Sequence, residues 1–225
     1  MKLVLYSGGH PLANEDLDQQ VIRLSGKSRP RMTYIPAESY HAEEDYDEFC
    51  ESFANHGVSN FQIFIPDDKQ QLGLMDSALH SDVIFLGGGN TFSFLNTLRK
   101  HFMMKFLVRF VQQGGVLAGL SAGAILMTPN IAMAGVPDFD RDPNEVGIRR
   151  LGSLNLVNFE FFPHFVNRPR YTVALRAYSH ELMTSVIACP DGSGLVVEGR
   201  KLTMVGRAWA FSQGKRIRLH GVGVA

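Results

Sequence analysis

The sequence predicts an α/β protein: a mostly parallel sheet with helices on both faces and extra antiparallel strands near the C-terminus. Three observations predict it. As far as about residue 120, short apolar runs alternate with longer amphipathic stretches, the rhythm of βαβ units. Runs such as Val83-Ile84-Phe85-Leu86 are apolar at every position, as strands buried on both faces are. After about residue 150 the rhythm changes to closely spaced strand-like runs separated by glycine-containing turns.

Lys2–Tyr6 is an apolar run halted by Gly8-Gly9; it is too short for a signal-peptide core and suits a first buried strand. Asp16–Leu24 carries Leu17, Val21 and Leu24 at helical spacing. Met32–Ile35 is a strand closed by Pro36, and Tyr46–His56 a helix stopped by Gly57. Phe61–Ile65 ends at Pro66-Asp67-Asp68, and Gln70–Leu79 puts Leu72, Met75 and Leu79 on one helical side. Val83–Leu86 runs into Gly87-Gly88-Gly89. Leu95–Gln112 is helical with a break near His101, and Gly114-Gly115 leads into the strand Val116–Ala118 and a helix over Ala122–Met127. Ser185–Ala188, Leu195–Glu198, Lys201–Val205 and Trp209–Phe211 read as an antiparallel meander at one sheet edge. The whole is a doubly wound, flavodoxin-like three-layer αβα arrangement. The polar stretches Ser25–Pro30 and Arg141–Arg150 are too short to act as interdomain linkers, so residues 1–225 are expected to form one domain.

Composition narrows the function classes. Apolar residues are 45% and charged residues 20% of 225, the balance of a globular protein near the upper size for one core. Lys plus Arg equals Asp plus Glu at 22 each, so no bulk field draws the chain to nucleic acid or an anionic membrane. Cys50 and Cys189 lie far apart, which fits a reducing compartment better than a disulfide framework. No apolar stretch reaches membrane-helix length, and a cytoplasmic location is expected. Oligomeric state is not encoded legibly, although the meander over 185–212 offers an edge for a homodimer.

Gly119-Leu120-Ser121-Ala122-Gly123 matches G-x-S-x-G between a strand and a helix. In a nucleophile elbow the serine occupies a strained turn whose neighbours must be small, and the following helix end offers N–H groups to an oxyanion. The competing role is a serine that merely caps a helix. Gly87-Gly88-Gly89-Asn90-Thr91-Phe92 also closes a strand before a helix. It fits neither phosphate-loop spacing, and a second oxyanion donor from a neighbouring strand end suits it better.

Of eight histidines, His41, His56, His80 and His101 sit in or beside polar helical stretches and read as surface residues. His180 belongs to a polar helix and His220 to a basic C-terminal strand; His10, at the first strand's end, could face the cleft. His164 stands apart, immediately after an apolar strand and Pro163, where a rigid strand end can hold a general base. For the acid that would orient it, Asp140 is the choice, with Asp138, Asp142 and Glu145 of the same loop and Glu160 as rivals. The D-x-D-x-D start of that loop is no calcium site, because Pro143 stands where glycine is needed and Arg149 where the bidentate glutamate belongs.

Taken in order, Gly87–Phe92, Gly119–Ala124 and Pro163-His164-Phe165 resemble the peptidase E (aspartyl dipeptidase) family over roughly residues 1–200. The resemblance implies a fold like the glutaminase domains of class I amidotransferases and cleavage of dipeptides with an N-terminal aspartate, without metal or organic cofactor. It makes Ser121 the nucleophile, His164 the base, and the N–H groups of Gly89 and Ala122 the oxyanion hole. It puts Asn90 in the substrate pocket and an arginine on the substrate's aspartate: Arg170, with Arg168 and Arg176 as rivals. A guanidinium suits that task because its planar fork grips a carboxylate in two bonds. One departure stands out: by spacing, the family's aspartate falls near Gly135-Val136, where this chain has no acid.

The expectation is therefore a serine exopeptidase that acts on small peptides through an acyl-enzyme. The alternatives are an amide or ester hydrolase of other specificity, or a silent peptide- or amino-acid-binding module that keeps the elbow.

Overall fold

The computed structural model describes residues 1–68, 73–219 and 222–224. Five parallel strands form the larger part of a large sheet: β1 (Lys2–Tyr6), β2 (Arg31–Ile35), β3 (Asn60–Ile63), β4 (Val83–Leu86) and β5 (Val116–Leu120). Their alternating side chains feed two cores. Leu3, Leu5, Ile84 and Leu86 face one, with α4 (Thr91–Lys100), α5 (Met103–Gln112) and α6 (Ala122–Ile125). Val4, Tyr6, Val83 and Phe85 face the other, beneath α1 (Glu15–Ser25) and α2 (Ala42–Ala54). β1, β4 and β5 thus meet apolar packing on both sides, which is why those segments are near-continuously apolar.

Helix ends follow local chemistry. α2 begins at Ala42, a turn earlier than its apolar spacing suggests, and carries Glu43, Glu44 and Asp45 in its first turn, where acids favour the helix dipole. The break expected near His101 is real: Phe102 adopts φ 59°, and α4 and α5 are separate helices. α4 starts at Thr91, capped by the Asn90 side chain accepting from the Ser93 N–H. α3 (Leu74–Leu79) is shorter than its pattern; Gln70, Gln71 and Leu72 of the expected helix, and His220 of the expected last strand, lie outside the described residues.

The C-terminal strands depart from the expected single meander. β8 (Gly194–Glu198) pairs antiparallel with β1, and β9 (Lys201–Val205) and β12 (Val222–Val224) extend it, so the large sheet runs β12-β9-β8-β1-β5-β4-β2-β3. β6 (Glu160–Phe162), β7 (Ser185–Ala188), β10 (Ala208–Ser212) and β11 (Lys215–Leu219) form a second sheet, ordered β11-β10-β7-β6, in which β6 and β7 are parallel. The chain crosses from one sheet to the other at Cys189–Ser193, where Gly192 takes φ +70° and donates its N–H to Gly8 O at 2.9 Å. α7 (Pro169–Glu181) covers the second sheet around Phe165, Trp209 and Phe211. Among the described residues, no helix is long and apolar enough to cross a membrane.

One charged group is built into the α1–α2 face. Asp18 is 2% exposed and accepts from Tyr6 Oη at 2.8 Å and Ser52 Oγ at 2.6 Å, with His56 at 3.9 Å. His56 is therefore mostly covered, not the surface residue its polar helix suggested. Burial raises the Asp18 pKa, and the donated bonds and His56 only partly offset it. An acid whose folded pKa lies above its unfolded one adds full stability below the unfolded value and loses it as pH rises through the folded value. Asp18→Asn is therefore expected to melt higher than the parent at neutral pH. The gap should close as pH is lowered into the carboxylate range, followed by circular dichroism.

Candidate active site

Three neighbouring strands deliver the site at their carboxyl ends. β5 lies between β1 and β4, with Gly119 opposite Leu5 and Leu86. Beyond it the chain reverses sharply into α6. Ser121 takes φ 49° and ψ −105°, and is held by its own N–H on Tyr6 O at 3.1 Å and by Gly123 N–H on Gly87 O at 3.2 Å. The two flanking glycines are sterically required. A Cβ on Gly119 would lie 2.5 Å from the Gly123 carbonyl carbon, and one on Gly123 would lie 2.3 Å from Leu86 O. Among the described residues, no backbone group outside the regular elements accepts from the Gly89 or Ala122 N–H.

The second sheet brings the imidazole. His164 follows β6 with φ 54°, and its N–H donates to Ser7 Oγ at 2.8 Å. Ser7, fully buried, donates in turn to Cys189 O at 2.7 Å, and Phe165 N–H reaches the same carbonyl at 2.9 Å. The end of β1 is thereby stitched to the ends of β6 and β7. His164 Nε2 lies 2.8 Å from Ser121 Oγ, and His164 Nδ1 lies 2.7 Å from Asp191 Oδ1. A hydroxyl on an imidazole on a carboxylate is the arrangement that activates a serine for acyl transfer. Gly8 makes room for it, since a Cβ there would fall 2.2 Å from His164 Cε1 and 2.8 Å from Asp191 Oδ1.

The carboxylate on His164 is thus none of those considered from the sequence. Asp140 accepts from Tyr171 Oη at 2.7 Å. Asp142 accepts from the Thr91 N–H at 2.8 Å, Asp138 pairs with Arg141 at 2.8 Å, and Glu145 is exposed. Glu160 is buried on Tyr178 Oη at 2.6 Å; β6 stops at Phe162 and His164 is left-handed, so the strand alternation linking the two is broken. Asp191 sits in Pro190-Asp191-Gly192, which reads locally as an ordinary turn. The available signal was that this turn closes a strand. Because β7 is parallel to β6 with Ala188 beside Phe162, its turn emerges beside His164.

A cleft of about 650 Å³ surrounds Ser121, lined by Gly89, Thr91, Met133, Phe139, Arg141 and His164 among others. The Asn90 carboxamide is committed at both ends, capping α4 and donating to Pro143 O at 2.9 Å. Arg170 stacks over Phe139, 4.5 Å from the ring centroid. Arg168 precedes α7 and Arg176 donates to Gly214 O at 2.6 Å. The cation that lines the cleft itself is Arg141, which sequence reasoning did not single out. His10 caps the short helix Pro11–Asn14 instead of lining this cleft.

Comparison with known proteins agrees with the fold and with a serine peptidase. The model of peptidase family S51 matches residues 3–205, and the chain belongs to that family of serine peptidases, whose substrates are peptides. It is similar to an uncharacterized peptidase, YgaJ, of Bacillus subtilis (strain 168), at 28% identity over 87% of this chain and 83% of the relative. Peptidase E of Shewanella denitrificans is 28% identical over 69% of this chain and 67% of its own length. Two crystal structures share the fold. One, a candidate peptidase E from Listeria monocytogenes EGD-e, gives a TM-score of 0.71 at 22% identity, over 91% of this chain and 97% of that one. The other, a peptidase from an acI-B1 Actinobacterium, gives 0.74 at 16% identity, over 100% and 96%.

Two substitutions test the hydrogen-bond chain. Asp191→Asn is expected to lower kcat by about a thousandfold or more with little change in melting temperature, because the imidazole loses its orienting anion. Ser7→Ala frees the His164 N–H and should lower kcat more than it raises KM, measured by steady-state peptide hydrolysis.

Proposed function

We propose that this S51 peptidase is an exopeptidase for small peptides, foremost dipeptides with an N-terminal aspartate, working through an acyl-enzyme. The observation that carries the proposal is the continuous chain from Ser121 Oγ through His164 to Asp191, at 2.8 and 2.7 Å. Ser121 Oγ attacks the scissile carbonyl while His164 Nε2 takes its proton. The oxyanion that forms is met by the N–H groups of Gly89 and Ala122, whose preorganised dipoles need no rearrangement as charge develops. Collapse expels the amine, to which His164 returns the proton. Water, deprotonated by the same nitrogen, then cleaves the ester and releases the acid, with the proton passing back to Ser121. Asp191 does not exchange the proton; it orients the ring and stabilises its cation.

Preference for an acidic residue rests on the cations at the cleft. Arg170 is held against Phe139, a cleft-lining ring, and Arg141 is held by Asp138. A guanidinium placed by stacking loses little freedom when it meets a carboxylate. The relatives named peptidase E support the choice of substrate.

The test is a panel of X-Leu dipeptides with the parent, Ser121→Ala and Arg170→Ala proteins. Asp-Leu is expected to turn over fastest. Ser121→Ala should lose at least about four orders of magnitude in kcat and no longer react with a fluorophosphonate, and Arg170→Ala should raise KM for Asp-Leu more than for Ala-Leu. Equal turnover by parent and Ser121→Ala would overturn the mechanism; no preference for Asp-Leu would overturn the specificity.

A further inference from the structure

The 137–143 loop follows the short helix Ala132–Gly135 and lines the Ser121 cleft through Asp138, Phe139, Asp140, Arg141 and Asp142. None of its acids reaches His164, yet two of them are bonded at opposite ends of the site. At one end the loop is fastened beside Gly89. The Thr91 N–H donates to Asp142 Oδ2 at 2.8 Å, and the Asn90 carboxamide donates to Pro143 O at 2.9 Å. Each segment contributes one side chain and one backbone group, and the Asp142 N–H is itself held on Ala134 O at 2.9 Å. At the other end the loop is fastened to the residues that carry His164. Tyr171 Oη donates to Asp140 Oδ2 at 2.7 Å, and Phe139 packs edge-on to the Tyr171 ring with centroids 5.1 Å apart. Tyr171 is buried in one cluster with Phe162 and Phe165, which flank Pro163-His164.

The need for such fastening lies in Gly89. It takes φ +135° within a run of three glycines, and glycine's own backbone preferences are too weak to hold one conformation there. The direction of its N–H must therefore be set by its neighbours. On one side Gly87 is held, its N–H on Ile35 O at 2.9 Å and its carbonyl accepting from the Gly123 N–H at 3.2 Å. On the other side stand Asn90 and Thr91, and what holds them to the rest of the cleft is the pair of bonds to Asp142 and Pro143. The bond to Asp142 is charge-assisted, and it places an anion at the start of α4, where the helix dipole favours one.

We propose that Asp142 and Asp140 are positioning residues, and that the 137–143 loop is a brace holding the Gly89 N–H of the large sheet in register with His164 of the second sheet. The inference rests on the serine mechanism proposed above, in which that N–H meets the oxyanion. Asp142 acts through Thr91 on Gly89, and Asp140 acts through Tyr171 on the cluster under His164. Oxyanion donors stabilise the transition state only where they already point at the developing charge, and the brace supplies that condition across two sheets that are otherwise joined here at Ser7 and Cys189–Ser193.

The experiment compares the parent with Asp142→Ala, Asp142→Asn and Tyr171→Phe, using whichever X-Leu dipeptide the parent cleaves fastest and 2-phenylethylboronic acid as inhibitor. The boronate adds to the Ser121 hydroxyl as a tetrahedral anion, so its affinity reads the oxyanion position without turnover. Asp142→Ala is expected to lower kcat about tenfold or more, with KM within about twofold, and to weaken the boronate by a similar factor. Asp142→Asn keeps an oxygen that accepts from the Thr91 N–H and should recover most of both. Tyr171→Phe keeps the ring and loses only the Asp140 bond; it should lower kcat and boronate affinity together. The double variant Asp142→Ala/Tyr171→Phe should lose less than the product of the single losses, because both changes cut one brace. Parent-like boronate affinity in Asp142→Ala, a loss carried by KM, or no recovery in Asp142→Asn would each overturn the brace while leaving the serine mechanism standing. A parent that neither cleaves a peptide nor takes the boronate would overturn that mechanism and the brace with it.

Discussion

The site depends on how closely the β5–α6 turn lies against β4 and β1. The backbone at Ser121 is forced to positive φ, a conformation that costs on the order of 1–3 kcal/mol and persists only where its surroundings impose it. Here they do: one backbone bond runs to Tyr6 on one side and another to Gly87 on the other. Both bonds require the turn to sit within a side chain's width of its neighbours, and that is possible because residues 119 and 123 have no side chain. Parallel pairing supplies the rest, since it brings the loops after β1, β4 and β5 out at one end of the sheet.

The second sheet acts as a mount for the imidazole. Phe165, 2% exposed, is embedded among Phe162, Tyr171, Trp209 and Phe211, so the residue after His164 has little freedom to move. Ser7 joins this mount to the large sheet through one donated and one accepted hydrogen bond. A side chain whose neighbours are packed and whose backbone is bonded holds its geometry without help from substrate, the condition under which a hydrogen-bond chain is ready before the reaction begins. The connection Cys189–Ser193 does double service. It carries the chain between the sheets and presents Asp191 to the ring.

A protein with no net charge still has strong local fields. The Gly88–Gly89 loop lies between two cavities of different lining. On the Ser121 side Arg141 stands among Asp138, Asp140 and Asp142, with Arg170 over Phe139; on the other stand Asp18, Asp45 and Glu48 around an aromatic floor.

Much of this was legible in the chain itself. β1, β4 and β5 could be read to within a residue or two, because burial on both faces leaves a continuous apolar signature. The serine turn and the glycine loop could be read because backbone crowding excludes side chains and so writes glycines into the sequence. His164 could be read because an apolar strand and a proline point to it. Partnership could not. Whether Ser185–Ala188 and Gly194–Glu198 belong to one sheet or two is set by pairing between residues far apart in the chain, which local period does not encode. Asp191 went unseen for the same reason: a Pro-Asp-Gly turn has one local appearance whether it faces water or a histidine. Composition and spacing determined which residue types stand at which strand ends. Only the tertiary structure decided which ends meet, because hydrogen bonds such as His164–Asp191 join segments separated by a helix and a strand and leave no trace in either alone.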